Sequence, residues 1–274
     1  MTKSSILLVA KALFLVLLAT ALCLTPGCAK SEDTPPTPPA DEQPATTPAV
    51  EPNAVTAAPE VETPAAPEVA MAPIEIDLPT PMFVGTPEDN RVPNLRPPRP
   101  AGERRPPFLA PVGTQLLSRG KPVTGGDEMT IYGEYSLITD GDKEASDGSF
   151  VDMLPSPPAR YVTIDLEQQC EIYAIVVWHY HKQPRVYFDV VVQISDDPDF
   201  ITDITTVFNN DTDNSAGQGV GKDMHYVETA DGELIDCLSQ GSPKGRYVRL
   251  YSSGNNSDEL NNYIEVEVYG KPVE

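Results

Sequence analysis

Basic residues are scarce in this sequence. Nineteen lysines and arginines stand against 41 acids, giving a formal net charge of −22. So negative a chain repels phosphate backbones and anionic lipid surfaces, which excludes nucleic acid as a partner and leaves divalent cations and neutral ligands as better matches. Histidine occurs three times and tryptophan once. Recognisable catalytic signatures are also missing. There is no Gly-x-Ser-x-Gly, no His-Glu-x-x-His, no phosphate-cradling glycine loop and no Cys-x-x-Cys-His. A glycosidase would need two carboxylates facing one cleft, and no spacing here marks such a pair. The chain therefore reads as non-catalytic.

What is plentiful is proline, 30 residues of 274, and it is unevenly placed. Between Cys28 and Pro111 there are 21 prolines in 84 residues, a density no ordinary packed domain carries. Large apolar residues are sparse there, so burial does not offset the entropy of ordering. Residues 28–112 read as a disordered, proline-rich tether of extended polyproline character. Within it, Arg91, Arg96, Arg99, Arg104 and Arg105 form a basic subsegment suited to an anionic envelope polymer or to the acidic domain that follows, unless it is simply a solvated linker. Ile74 to Leu78 and Met82 to Val84 are candidates for short docking strands.

Ahead of the tether, a lysine precedes an apolar run from Ala12 to Leu24. At 13 residues it falls short of the roughly 20 a spanning helix needs and suits the hydrophobic region of a secretory signal. It ends in Leu24-Thr25-Pro26-Gly27-Cys28, which resembles a bacterial lipoprotein lipobox with leucine one place further back than usual. The resemblance implies cleavage after residue 27, lipidation of Cys28 and membrane attachment through that lipid. Ala29, in place of an inner-membrane-retaining aspartate, points to the outer membrane of a Gram-negative-type bacterium. An ordinary secretory signal and an uncleaved anchor are the alternatives.

From about residue 113 the pattern changes. Tyr161 to Leu166, Val186 to Ile194, Tyr247 to Tyr251 and Ile264 to Tyr269 alternate with period two, while Ile172 to Trp178 is continuously apolar, as in a strand covered on both faces. Asx- and Gly-rich clusters separate them. Only Pro198 to Val207 suggests a helical turn. Short strands without long amphipathic stretches predict an all-β sandwich or barrel.

The order Ile138-Thr-Asp-Gly-Asp142, Tyr161 to Leu166, Ile172 to Trp178, Tyr187 to Ser195, Gly245 to Leu250 and Ile264 to Gly270 resembles a discoidin domain, the coagulation factor 5/8 C-terminal type, close to carbohydrate-binding module family 32. The resemblance covers about residues 115–271. It implies a galactose-binding-like jelly-roll β-sandwich over 113–274 and a binding module that takes a glycan through loops at one end.

The same resemblance implies a structural calcium in the Asp140-Gly-Asp142 loop, with Ser146 close behind and Glu265 of the last strand completing the ligands. Clustered oxygens of this kind suit a hard cation; an aspartate-capped turn is the alternative. A second acidic loop, Asp211 to Gly217, departs from calcium-loop spacing and reads as solvated. His179 and His181, with Arg185, fall in a stretch between two strands and present hydrogen-bonding and aromatic groups suited to sugars; Asn255 and Asn256 join them by loop position. The histidine pair also has zinc- or copper-ligand spacing if His225 lies nearby. Cys170 and Cys237, the only cysteines of the 113–274 domain, are candidates for a disulfide in an exported protein. Two functions stay open: a glycan-binding module, and a structural or assembly protein that docks onto an envelope protein.

Overall fold

The computed structural model describes residues 69–83, 90–97, 99–100, 103–126, 129–155 and 159–274. These fall in one compact unit, Thr63–Glu274. The leader, Cys28 and the tether up to residue 68 lie outside the described residues.

The strands are β1 (Met71–Pro73), β2 (Leu109–Pro111), β3 (Gln115–Leu116), β4 (Val123–Gly125), β5 (Val151–Met153), β6 (Arg160–His179), β7 (Val191–Ser195), β8 (Thr205–Asn209), β9 (Glu233–Asp236), β10 (Lys244–Ser252) and β11 (Asn261–Pro272). A short 3₁₀ turn, Tyr135–Thr139, sits between β4 and β5. All the strand pairings are antiparallel.

The 20-residue β6 organises the molecule. Residues 160–166 pair with β4 and β10, and 170–179 pair with β9 and β11. Between the halves the register against β10 jumps from Asp165↔Tyr247 to Cys170↔Gly245. Glu167 there takes φ +66°, and its N–H donates to the Asp165 carboxylate at 2.7 Å. Such a bulge bends and twists a strand, so β6 passes from one sheet into the other. Strands β3–β11 are hydrogen-bonded into one nine-stranded sheet, which the bend in β6 divides into two layers that serve as the sheets of the sandwich. The first runs β4-β6-β10-β7-β8. The second runs β9-β6-β11, with β3 and β5 on the far edge of β11.

Period two explains which side chains fill the space between the sheets. Val162, Ile164 and Leu166 of the first half of β6 join Val192, Ile194, Val248, Leu250, Val266 and Val268 in one cluster, while Thr163, Gln193 and Arg249 alternate with them. In the second half of β6 both faces are covered, as the unbroken apolar run predicts. Ile175 and Val177 join the main core. Ala174, Val176 and Trp178 turn to the other side, against Ile74, Ile76, Phe108 and Leu234. Trp178 is fully buried and donates its indole N–H to the Ala230 carbonyl at 3.0 Å.

The all-β antiparallel sandwich is thus the expected one, with three differences from the sequence reading. First, the described segments of 69–112 are part of the body: β1 pairs with β2, and Ile74 and Ile76 seal the outer face of the second sheet. Arg96 forms a two-pronged contact with Glu233 at 2.7 and 2.9 Å, and Arg99 meets Asp231 at 2.9 Å. The basic subsegment contacts the acidic domain, one of its two proposed roles. Second, Cys170 and Cys237 are free, buried thiols. The Cys237 N–H bonds the Tyr173 carbonyl, so the two cysteines sit about three residues apart along β6. That is about 10 Å at 3.3 Å per residue, beyond the ~7 Å Cα separation a disulfide spans. Third, 198–207 holds a turn capped by Asp197, followed by β8, in place of a helical turn.

Candidate functional site

One end of the sandwich gathers Arg185, Asn255 and Asn256. The 180–186 connection and the 253–260 loop are stitched by Val186 N–H to Asn256 Oδ1 at 2.9 Å and Asn256 N–H to the Val186 carbonyl at 3.0 Å. Asn255 donates to Asp258 at 2.7 Å. Arg185 donates to Asn262 Oδ1 at 2.7 Å, pairs with Asp258 at 3.1 Å, and lies 4.8 Å from the Tyr180 ring centre. Tyr187 donates to the same Asn262 oxygen, and the Asn262 amide reaches Asp152. Burial raises the Asp152 carboxyl, and Asn262 and Arg185 oppose that rise.

An aromatic ridge runs away from this fork. Tyr180 meets Phe150 edge-on at 5.4 Å, and Phe150 meets Tyr132 at 5.2 Å; Tyr132 is 43% exposed. Partly open ring faces beside a guanidinium, a carboxylate and an amide can stack on C–H groups and bond hydroxyls at once. Sequence reading singled out Arg185, with the aromatic group of its stretch, Tyr180, and missed Tyr132, Phe150, Asp152 and Asn262, which come from other elements.

The two histidines do not line this rim. His179 ends β6, is fully enclosed, stacks on Tyr187 at 4.3 Å and shares a 2.6 Å hydrogen bond with Glu228. His181 is also enclosed, with Nε2 at 2.9 Å from the Lys143 carbonyl. Because β6 stops at His179, the strand alternation that would put residues two apart on one face does not extend to His181. His225 packs edge-on to Phe188. Among the described residues the three histidines form no metal-holding group.

The Asp140 loop is brought against Glu265, as the resemblance implied. Asp140 accepts Asp142 N–H at 2.8 Å, and Asp142 accepts Glu144 N–H at 2.9 Å. It is Ser149, at 2.7 Å, whose hydroxyl reaches Asp142; Ser146 contacts Ser149 and the Glu144 carbonyl. Glu265 is fully buried. One oxygen accepts Gly141 N–H at 2.9 Å, and the other has no partner among the described residues. Burial first, with Glu267 and Asp140 adding, pushes its carboxyl up to about 8. An enclosed carboxylate oxygen without a partner, beside a loop of further oxygens, fits a hard cation.

A second acidic group consists of Asp189, Asp211 and Asp213, whose oxygens lie within 4.8 Å of one another. Asp211 is buried, unlike the solvated loop expected, and its carboxylate accepts N–H groups from Asp213, Ser215 and Ala216.

No protein-family model and no curated protein matches the chain. The chain is similar in structure to family 32 carbohydrate-binding modules. One is the CBM32 of AlyQ in complex with 4,5-unsaturated mannuronic acid, at 18% identity over 56% of this chain and 97% of that one, TM-score 0.38. A chitosan-binding module from a Paenibacillus sp. IK-5 chitosanase/glucanase gives 17% identity over 57% and 99%, TM-score 0.38. Against longer chains, this one spans 34% of a truncated AlyQ with CBM32 and alginate lyase domains and 15% of a Clostridium perfringens family 89 glycoside hydrolase, each at TM-score 0.41.

Proposed function

We propose that the protein is a non-catalytic glycan-binding module, exported and held at the membrane by a lipid on Cys28. The carrying observation is the Tyr180–Arg185 pair at the sandwich end, with Phe150 and Tyr132 extending the aromatic surface and Asp258 and Asn262 holding the guanidinium. A pyranose ring stacks its C–H face on such a surface while its hydroxyls meet fixed donors and acceptors. Calcium, in this reading, sits between the Asp140 loop and Glu265 and braces the loop without taking part in recognition. Among the described residues no helix is long and apolar enough to cross a membrane; attachment, in this reading, is through the lipid on Cys28.

A glycan array on the full chain, followed by calorimetry with the best hit, tests this. Arg185→Ala should weaken binding at least tenfold with the melting temperature within 2 °C of wild type, an order-of-magnitude expectation for an anchor residue. No signal on any glycan would overturn the reading. Palmitate label that does not depend on Cys28, or no label, would overturn the anchor.

A second reading, docking onto an envelope protein, is favoured by one observation. Met129, Ile131 and Leu154 are exposed, at 76, 52 and 41%, and Ile131 lies beside the ridge through its bond to the Asp152 carbonyl. Crosslinking in cells to one protein, with no glycan signal, would select it.

A further inference from the structure

A polar cleft of about 460 Å³ opens between the described start of the chain and the second sheet. Its volume falls within the 300–1,000 Å³ of small-ligand sites. One wall comes from Glu75 and Asp77, which alternate with the inward Ile74 and Ile76. Thr114, Gln115 and Arg119 also line the cleft, and the buried Lys143, Glu267 and Tyr269 form its floor.

The floor is rigid. Lys143, 8% exposed, bonds Glu267 at 2.7 Å and lies 5.1 Å from the Trp178 ring, while the Tyr269 hydroxyl donates to the other Glu267 oxygen at 2.8 Å. The walls are not engaged. The carboxylates of Glu75 and Asp77 and the guanidinium of Arg119 make no hydrogen bond or ion pair to any described residue. Arg119 is seated on Gly141: a Cβ at that position would lie 1.3 Å from Nη1. Charges of both signs therefore line the cleft without a partner among the described residues.

That arrangement selects its ligand. An anion meets Glu75 and Asp77, and a cation meets Arg119. A neutral polyhydroxylated ring offers acceptors to Arg119 and donors to Glu75 and Asp77, and Pro73, Ile74 and Leu116 give its C–H face an apolar strip. We propose that this cleft is a second carbohydrate subsite, for a neutral pyranoside, built partly from residues ahead of the sandwich. It rests on the glycan-binding reading above and is separable from it.

The test is amide chemical-shift mapping on the full chain, titrated with xylopentaose, maltopentaose and chitopentaose. The proposal expects one of these to shift amides of Ile74, Thr114, Arg119 and Gly141 as a set separate from Tyr180 and Arg185. Arg119→Ala or Asp77→Asn should weaken the first set at least tenfold and leave the second; Arg185→Ala should do the reverse. Both cleft side chains are exposed, so melting should not move. Shifts confined to Tyr180 and Arg185 would overturn the cleft and leave the rim standing. Shifts at neither place would overturn both.

Discussion

The two acidic loops, 139–149 and 209–217, look alike in sequence and differ in what the fold delivers to them. In the second, Asp211 turns inward and uses both oxygens to accept N–H groups from its own loop; the cluster is an Asx-type brace. In the first, the loop aspartates also cap their own turns, but β11 inserts Glu265 from 124 residues away, and one of its buried oxygens has no partner. On the proposed calcium reading, a carboxylate that the fold buries and leaves unmatched marks a cation site better than closely spaced carboxylates do.

The largest effect that would break this contrast is in the second loop. Asp211→Ala leaves the Asp213 and Ala216 backbone donors without a partner, while Ser215 N–H keeps the Asp213 carboxylate at 3.0 Å; each orphaned donor costs about 1–2 kcal/mol. We expect about 3 kcal/mol of lost stability in denaturant unfolding, the same with calcium or with chelator. A loss that vanishes in chelator would make this loop the cation site.

Next comes the calcium increment at the first loop. Calcium at a hundred times its dissociation constant should add about 2.7 kcal/mol to the native state, and Glu265→Gln should abolish the gain. If Asp213→Ala abolishes it instead, the assignment is reversed.

The third test is pH in the presence of chelator. The folded Glu265 carboxyl lies at about 8, above its ordinary value of 4.5, so folding favours the protonated form. Its contribution is complete below about pH 4.5 and is lost as pH rises through about 8. Stability should fall by more than about 1 kcal/mol across that window, and Glu265→Gln should flatten the slope. The smallest contrast is between two serines: Ser149→Ala should cost about 1 kcal/mol through its bond to Asp142, and Ser146→Ala less than 0.5.

The strand pattern was readable because alternation reports one buried face and an unbroken run reports two. Tyr161 to Leu166 and Ile172 to Trp178 landed where expected, though as two halves of one bent β6. The described segments of 69–112 read as tether because proline density averages over Ile74, Ile76 and Phe108, whose apolar partners are on distant strands. His179 and His181 look like surface groups until Glu228 and the Lys143 carbonyl, 49 and 38 residues away, take up one ring nitrogen each. Arg185 was readable as a candidate binding group, but Asn262, which bonds it, and Asp152, which Asn262 reaches, come from other elements and leave no local trace. Long-range pairing, invisible to periodicity, decides all of these.

The most direct test of the glycan-binding claim is calorimetry of the full chain with the tightest array glycan, comparing wild type with Tyr180→Ala and Arg185→Ala. Both variants should bind at least tenfold more weakly while melting within 2 °C of wild type, as anchor residues at a surface site do. Unchanged affinity in both, or heat of binding from no glycan, would contradict it.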